Sequence, residues 1–181
     1  MIKTNPLSVK DIRNIASSIR EQYGIAKDQA FPILDILKQL FYDNYLSIQL
    51  LADDDSYLDK NTPAVYNAND NFIYLKESVI NEIEEGNYRS NFTLAHEFFH
   101  YLQYQVLNFT FEEVESRKTY EDPEWQANCF AGELLLPDEY LVIEDDEYLA
   151  KHFQVSIECV LTRKVKNTKR NLKEKGIISY K

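Results

Sequence analysis

The chain has 181 residues, of which 44% are hydrophobic and 13% aromatic, and this composition suits one folded domain and argues against disorder. Its formal net charge of −10 disfavours nonspecific nucleic-acid binding, because an acidic surface repels phosphate groups. The two cysteines, Cys129 and Cys159, are expected to be buried structural thiols rather than a disulfide scaffold. Because the sequence has no apolar run typical of a signal peptide or a membrane span, we expect a cytoplasmic protein without a membrane partner.

The N-terminal part is predicted to form two helices and a strand. Apolar residues recur at helical spacing in residues 8–22 and again in residues 32–42, so that each segment has one face for a core. Residues 45–51 are rich in aromatic and apolar side chains and predict a strand. The polar run at 53–56 ends it, and the aspartates there lack the glycine and distant glutamate of an EF-hand calcium loop.

A β-hairpin is predicted next. Residues 64–67 and 72–75 are apolar and aromatic segments separated by Asn69-Asp70-Asn71, which is a typical turn sequence. Pro63 is tolerated because it stands at the start of an edge strand.

The sequence His96-Glu97-Phe98-Phe99-His100 has the spacing of a metal-binding helix. Histidines four residues apart lie about 40° apart around a helix axis, so that both can bind one metal ion. Glu97 between them can act as a general base toward a water on that metal. An apolar stripe opposite His96 predicts a separate core face: Phe92, Ala95, Phe98, Phe99, Leu102 and Val106. The alternative is a solvated His–Glu–His stripe on a surface helix.

A second helix is predicted to supply the third ligand that such a site needs. Asp122 and Pro123 have the form of an N-cap and a first helical residue, and Pro137 ends the segment. Glu124 and Asn128 share one face of this helix, so that Glu124 can bind the metal while Asn128 forms hydrogen bonds behind it. Alternatively, Glu124 only interacts with the helix dipole and Asn128 is an ordinary mid-helix amide.

These two segments resemble the ImmA/IrrE family of metallopeptidases. The family pattern is an F-T-x-A-H-E-x-x-H helix and then E-x-x-A-N/D-x-F-A-x-x-L-L-x-P, and the chain has FTLAHEFFH at 92–100 and EWQANCFAGELLLP at 124–137. The resemblance implies an α+β, zincin-like fold that is mostly helical, with a small, mainly antiparallel three-stranded sheet beside the H-E-x-x-H helix. Phe99 stands where many members have glycine, and residues 101–105 lack a further histidine that many members carry. Because Phe99 falls on the core face, we expect this change to alter packing rather than chemistry.

The resemblance also implies zinc-dependent hydrolysis of a peptide bond. It assigns His96, His100 and Glu124 as metal ligands and Glu97 as the catalytic base. One Zn²⁺ per chain is expected, although this ligand set also accepts Mn²⁺ and other divalent ions. Tyr104 is a candidate donor to the oxyanion that forms during hydrolysis.

The expected partner is a protein substrate, namely a helix-turn-helix repressor encoded nearby, whose cleavage relieves repression of mobile-element, phage or stress genes. In metallopeptidases of this general type, a sheet edge beside the active-site helix binds the substrate as an added strand, and we expect residues 72–75 to form that edge. The alternative function is sequestration of a repressor, or of a toxin or antitoxin partner, by a metal-stabilised protein without hydrolysis. Glu97 favours the enzyme, because binding alone needs no base.

Residues 1–140 are predicted to form the zincin-like core, and residues 141–181 a helical, helix-turn-helix-like extension of the same domain. The extension has a turn at Gln154-Val155 and an N-cap at Ser156. It either packs on the core or enters a DNA major groove, helped by the basic residues between 163 and 175. We interpret that basic run as a solvated helix face and expect no direct nucleic-acid binding.

Overall fold

The computed structural model describes residues 1–175, and residues 176–181 of the predicted C-terminal extension lie outside the described part. The described chain is mostly helical, with short strands in two small sheets. The strands are β1 (Ile2–Thr4), β2 (Ser47–Leu51), β3 (Ala64–Asn67), β4 (Phe72–Lys76) and β5 (Phe111–Glu113). The α-helices are α1 (Val9–Gln22), α2 (Ile33–Tyr42), α3 (Glu77–Glu84), α4 (Arg89–Tyr101), α5 (Pro123–Leu135), α6 (Asp146–Phe153) and α7 (Ile157–Glu174). A π-helical segment lies at Leu102–Val106, and 3₁₀ turns lie at Thr119–Glu121 and Asp138–Val142.

The predicted helix starts are confirmed, and side-chain caps explain them. Ser8 and Asp11 form a capping box at the start of α1, in which each side chain accepts a hydrogen bond from the backbone N–H of the other. Asp122 caps α5 by accepting from the backbone N–H of Glu124 at 3.0 Å, and Pro123 is the first helical residue. These local bonds fix where the two helices begin, independently of the packing around them.

The two helices that carry the predicted ligands, α4 and α5, pack directly against each other. Ala127 and Ala131 of α5 are fully buried, and their small side chains allow the two helices to approach each other closely. Phe99 of α4 is also fully buried and stacks on Phe130 with a ring-centroid separation of 4.4 Å. The expectation that Phe99 serves packing is therefore confirmed.

The main sheet has the strand order β2–β4–β3. Strands β3 and β4 form the predicted antiparallel hairpin, whereas β2 pairs with the other side of β4 in parallel orientation. The prediction that residues 72–75 form the sheet edge is therefore wrong, because β4 is the central strand and β3 is the edge strand that packs against α4. Local patterns carry no sign of this pairing, since parallel strands are joined by a long crossover connection.

A second sheet pairs β1 with β5 in antiparallel orientation. Two of the three strand pairings within residues 1–175 are thus antiparallel, and the predicted α+β, zincin-like class is confirmed. Strand β2 starts at Ser47 rather than at 45, because the backbone N–H groups of Tyr45 and Leu46 bond back to the Leu40 carbonyl and close α2. Among the described helices, none combines the length and the apolar composition that a membrane crossing requires.

The C-terminal helices have the predicted helix-turn-helix form. Helix α6 ends at Phe153, and Gln154 adopts a left-handed conformation with φ of 53°. The hydroxyl of Ser156 accepts from the backbone N–H of Cys159 at 3.1 Å, which caps the start of α7.

Basic residues of α7 form ion pairs with carboxylates on α5, on the 3₁₀ turn at Asp138–Val142 and at the start of α6. The pairs are Arg163 with Glu133 at 2.7 Å, Arg170 with Asp138 at 3.3 Å, and Lys164 with Asp146. The interpretation of the basic run as a solvated face is wrong for these three residues, because their partners lie on other elements. It holds for Lys166 and Lys169, which are exposed.

Glu133 is the centre of this network and joins α1, α5 and α7. Its side chain is fully buried and accepts from Arg13 at 3.0 Å and from Arg163 at 2.7 Å. Burial opposes its charge, but the two guanidinium groups hold the pKa of Glu133 below its ordinary value. Removing this carboxylate would leave the largely buried Arg163 without its counter-charge.

We therefore expect Glu133→Gln to lower the free energy of unfolding by about 3 kcal/mol, since breaking a buried ion pair on one side is costly. Urea denaturation measures this change. The matched control is Asp138→Asn, because Asp138 also pairs with Arg13 and Arg170 but its side chain is 26% exposed. We expect the control to cost less than about 1 kcal/mol, and equal losses in both variants would contradict the role given to burial.

Candidate metal centre

Three potential ligand atoms converge between α4 and α5. The Nε2 atoms of His96 and His100 are 3.1 Å apart. The Glu124 carboxylate lies 3.2 Å from the Nε2 of His96 and 3.3 Å from the Nε2 of His100. These atoms all lie within 4.8 Å of one another. The structure thus brings together the three residues that the two sequence motifs singled out.

The two helices position these side chains in different surroundings. His96 and His100 lie one turn apart on α4, with side chains only 15% and 12% exposed, whereas the Glu124 side chain in the first turn of α5 is 63% exposed. The site is therefore open to solvent on the side of Glu124. Hydrogen bonds from His100 and His96 hold the pKa of Glu124 well below its usual range.

The other ring nitrogen of each histidine faces a side-chain amide. His96 Nδ1 lies 3.3 Å from Asn128 Oδ1, and His100 Nδ1 lies 3.0 Å from Gln103 Oε1. An amide oxygen only accepts hydrogen bonds, so each Nδ1 can donate to its amide, which would leave the Nε2 lone pair of each neutral ring free for a bound metal ion. Asn128 also donates to the Glu124 carbonyl at 2.9 Å, and it therefore lies where the sequence predicted.

Gln103 and Gln126 extend this arrangement into the core, and the sequence analysis missed both. Each is fully buried. Gln103 Nε2 donates to Gln126 Oε1 at 2.8 Å, and Gln126 Nε2 donates to the carbonyls of Asn5 and Tyr120 at 2.7 and 2.8 Å. These bonds connect His100 to the N-terminal segment and to the turn before α5. The sequence signal for Gln103 is its place three residues after the second histidine, since residues three apart share a helix face.

A π-helical segment at Leu102–Val106 follows α4. A π-turn is wider than an α-turn and shifts the phase of the side chains that follow it. Val106, which α-helical spacing assigned to the core stripe, lies at the end of this segment and is 53% exposed. The assignment of Val106 to the core was wrong because the apolar periodicity assumed a continuous α-helix.

Glu97, the predicted base, is buried beside the ligand cluster. The residue is 8% exposed, and its Oε2 accepts a hydrogen bond from the backbone N–H of Tyr66 in β3 at 2.7 Å. Burial raises the pKa of Glu97, and the charges of His96 and His100 oppose that rise. Its Oε1 forms no hydrogen bond with any residue of the described chain, so one oxygen is available to accept a proton.

Tyr104 belongs to an aromatic cluster with Phe111 and Tyr66. Its ring stacks on Phe111 at a centroid separation of 3.9 Å and lies 6.1 Å from the ring of Tyr66. The residue is 37% exposed, and partial burial together with the charge of Glu124 raises its pKa. Tyr104 is thus a protonated phenol close to Glu124, and its role as a donor to the oxyanion stays a prediction.

The remaining histidine and the two cysteines lie outside the cluster. His152 Nε2 contacts the backbone carbonyl of Asp28 at 2.6 Å. Cys129 is half-buried and Cys159 is buried, both are free thiols, and burial raises the pKa of each to about 11. Protonated thiols are poor metal ligands and nucleophiles, which agrees with the structural role expected of them.

The donor set fits a divalent transition metal. Two neutral imidazoles and one carboxylate, with a fourth position left for water, form a common catalytic zinc site. Tetrahedral zinc with metal–ligand distances near 2.0–2.1 Å would place its ligand atoms about 3.3 Å apart, and the nearest separations here are 3.1, 3.2 and 3.3 Å. The same ligands accept Mn²⁺, so the geometry is compatible with either ion.

We expect Gln103→Leu to weaken zinc binding by about 10–100-fold, the usual cost of removing a group that orients a ligand. Competition with a zinc-binding dye measures the affinity. Gln126→Leu is the matched control, because it removes a buried amide from the same chain of hydrogen bonds and leaves the contact of Gln103 with His100. Unchanged zinc affinity in Gln103→Leu, or an equal loss in the control, would contradict a direct role for Gln103.

Comparisons with known proteins agree with this geometry. The Peptidase_M78 family model, described as an IrrE N-terminal-like domain, matches residues 59–164. Among solved structures, a Mycobacterium tuberculosis transcriptional regulator is similar with a TM-score of 0.52 and 19% sequence identity, and the match covers 85% of this chain and 46% of that chain. The chain thus spans less than half of that regulator, and at this identity the likeness is one of fold. No curated protein matched the chain.

Proposed function

Because the chain belongs to the Peptidase_M78 family of IrrE N-terminal-like domains, as its two motifs predicted, we propose that it is a zinc-dependent endopeptidase. The observation that carries the proposal is the convergence of His96, His100 and Glu124, with Glu97 buried beside them. We assign the first three residues as ligands of one Zn²⁺ per chain and Glu97 as the catalytic base. Asn128 and Tyr104 are assigned supporting roles.

The chemistry divides between the ion and the protein. A divalent metal held by these ligands supplies an acidified water and a Lewis acid for the scissile carbonyl. Glu97 accepts the proton of the attacking water and returns it to the leaving amine. The hydrogen bond from Tyr66 to Oε2 holds the carboxylate in one orientation, so that Oε1 handles the proton. Tyr104, as a phenol, donates to the developing oxyanion.

The free edge of β3 is the proposed substrate-binding edge, in place of the central strand β4. Lys76 donates its backbone N–H to the Pro63 carbonyl. Because hydrogen-bonded residues alternate along an antiparallel strand, only every second residue of β3 bonds to β4. The backbone of Tyr66 faces the other way and reaches Glu97. An extended peptide pairing with this edge would therefore run past the proposed base.

The proposed substrate is a helix-turn-helix repressor encoded nearby, and its cleavage would relieve repression of mobile-element, phage or stress genes. Membership of the family supports a protein substrate, because a peptidase site acts on polypeptides. The similar M. tuberculosis structure is a transcriptional regulator, which agrees with a role for this fold in gene regulation.

We propose that residues 1–140 form the peptidase core and that residues 141–181 belong to the same domain, where they serve packing rather than DNA binding. The ion pairs from α7 to Glu133, Asp138 and Asp146 support this view, because they neutralise charges that phosphate contacts would need. An electrophoretic mobility shift at moderate salt that vanishes at higher salt would contradict it.

One observation favours the second function, sequestration of a partner without hydrolysis. Glu97 is only 8% exposed, and its Oε2 already accepts a hydrogen bond from the backbone of β3. This bond stabilises the fold, which gives Glu97 a structural role that does not require hydrolysis. In that case the metal would stabilise a binding surface, and the partner would stay intact in a stable complex.

The test is incubation of the zinc-loaded protein with the repressor encoded beside it, followed by gel electrophoresis and mass spectrometry of the products. We expect defined fragments whose formation stops when a chelator removes the metal and resumes when zinc is added. An intact repressor that co-elutes with the protein would favour sequestration instead.

A further inference from the structure

A groove with a volume of about 300 Å³ lies between α4, α5 and α7. Its lining includes Arg89 and Phe92 from α4, Asn128 from α5, and Cys159, Arg163 and Lys166 from α7. We call it the basic groove. Phe92 and Cys159 give it apolar walls, and Arg89 and Lys166 give it positive charge, whereas Arg163 is paired with Glu133. Glu158 is the one acidic residue in its lining within residues 1–175.

The charge of the basic groove contrasts with the rest of the molecule. The chain carries a formal net charge of −10, yet basic side chains outnumber acidic ones in this lining. Arg89 and Lys166 are exposed, and neither side chain forms an ion pair within the described residues. Two uncompensated cations beside a partly apolar concavity attract an anionic side chain.

Arg163 forms the inner part of the groove. It is 9% exposed, and its Nε is a buried donor without a hydrogen-bond partner in the described part of the chain. Gly132 of α5 makes room for it, because a Cβ at that position would lie 2.8 Å from Arg163 Cδ. The close approach of α7 to α5 that shapes the groove thus depends on a residue without a side chain.

The basic groove adjoins the candidate metal centre. Asn128 lines the groove, and its Oδ1 lies 3.3 Å from His96 Nδ1. An extended peptide advances about 3.3 Å per residue, so a side chain within a few residues of the scissile bond can reach the groove.

We propose that the basic groove binds an aspartate or glutamate side chain of the polypeptide substrate, close to the bond that is cleaved, with Arg89 and Lys166 as specificity-determining residues. This inference rests on the proposed peptidase function. Phe92 packs against the aliphatic part of the substrate side chain, and the two exposed cations pair with its carboxylate.

The test is a cleavage profile of the zinc-loaded protein on a pool of short synthetic peptides of random sequence, with the cleaved bonds identified by mass spectrometry. We expect acidic residues to be enriched about tenfold at one fixed position relative to the cleaved bond, as for one charge-assisted hydrogen bond. The double variant Arg89→Glu/Lys166→Glu should lose this enrichment or prefer basic residues. Lys38→Glu makes the same kind of charge change at an exposed position of α2 and should keep the acidic preference.

Cleavage without an acidic preference, or with a preference that persists in the double variant, overturns the role of the groove and leaves the proposed hydrolysis intact. If the wild type cleaves no peptide, the proposed function fails in this assay, and the same pool is passed over immobilised wild-type and variant proteins. Retention of acidic peptides by the wild type but not by the double variant then supports the groove as an acidic-peptide site, and equal retention overturns it.

Discussion

Replacement of Glu97 by glutamine is expected to leave the metal in place and to slow peptide-bond hydrolysis about 10²–10⁴-fold, which is the usual contribution of a general base. The amide oxygen of glutamine can still accept the hydrogen bond from Tyr66 that Glu97 Oε2 accepts at 2.7 Å, so that the contact between β3 and α4 survives. An amide, however, cannot take a proton from water. The measurements are zinc content by mass spectrometry and the rate of repressor cleavage.

The choice of glutamine separates chemistry from folding. Glu97→Ala would leave the buried N–H of Tyr66 without a partner, at a cost of about 1–3 kcal/mol, and lost activity would then have two explanations. Glu84→Gln is the matched control, because it makes the same change at an exposed position of α3. Full activity in Glu97→Gln would exclude Glu97 as the base, and loss of zinc together with activity would make it a structural residue.

Local sequence patterns were sufficient for the helices that carry the site. The Asp122-Pro123 start of α5 depends on hydrogen bonds within a few residues, so it could be predicted without knowledge of the fold. The four-residue spacing of His96 and His100 fixes their shared face for the same reason. Glu124 followed from the need for a third ligand on a neighbouring helix.

Contacts between distant segments could not be predicted in this way. The parallel pairing of β2 with β4 joins segments on either side of a long connection, and it made β3 rather than β4 the edge strand. The exposure of Val106 depends on the π-helical segment after α4, and no residue pattern marks that change of helix type. In both cases the result depends on the packing of the whole domain.

The basic run of α7 shows why charge patterns are ambiguous. Arg163, Arg170 and Lys166 are similar in sequence terms, yet Arg163 pairs with the buried Glu133 and Lys166 lines an open groove. A buried carboxylate on another helix decides which cation becomes structural, and only the tertiary structure shows its position. Lys166 instead lies beside the candidate metal centre, where we propose that its charge influences which peptide binds.

Glu124→Ala is expected to abolish metal binding, from about one zinc per chain to almost none, because two histidines do not complete a stable site. An alternative explanation is that Glu124 only interacts favourably with the helix dipole, which stabilises the fold by about 0.3–1 kcal/mol. Its side chain is 63% exposed and lies in the first turn of α5, as this explanation requires. Glu147→Ala is the control that separates the two roles, because Glu147 is an exposed carboxylate in the first turn of α6. Both variants should lose the small dipole contribution to stability, and only Glu124→Ala should lose zinc as measured by mass spectrometry. Zinc retained by Glu124→Ala would show that the carboxylate belongs to the helix and not to the metal, and the proposed peptidase would then lack its third ligand.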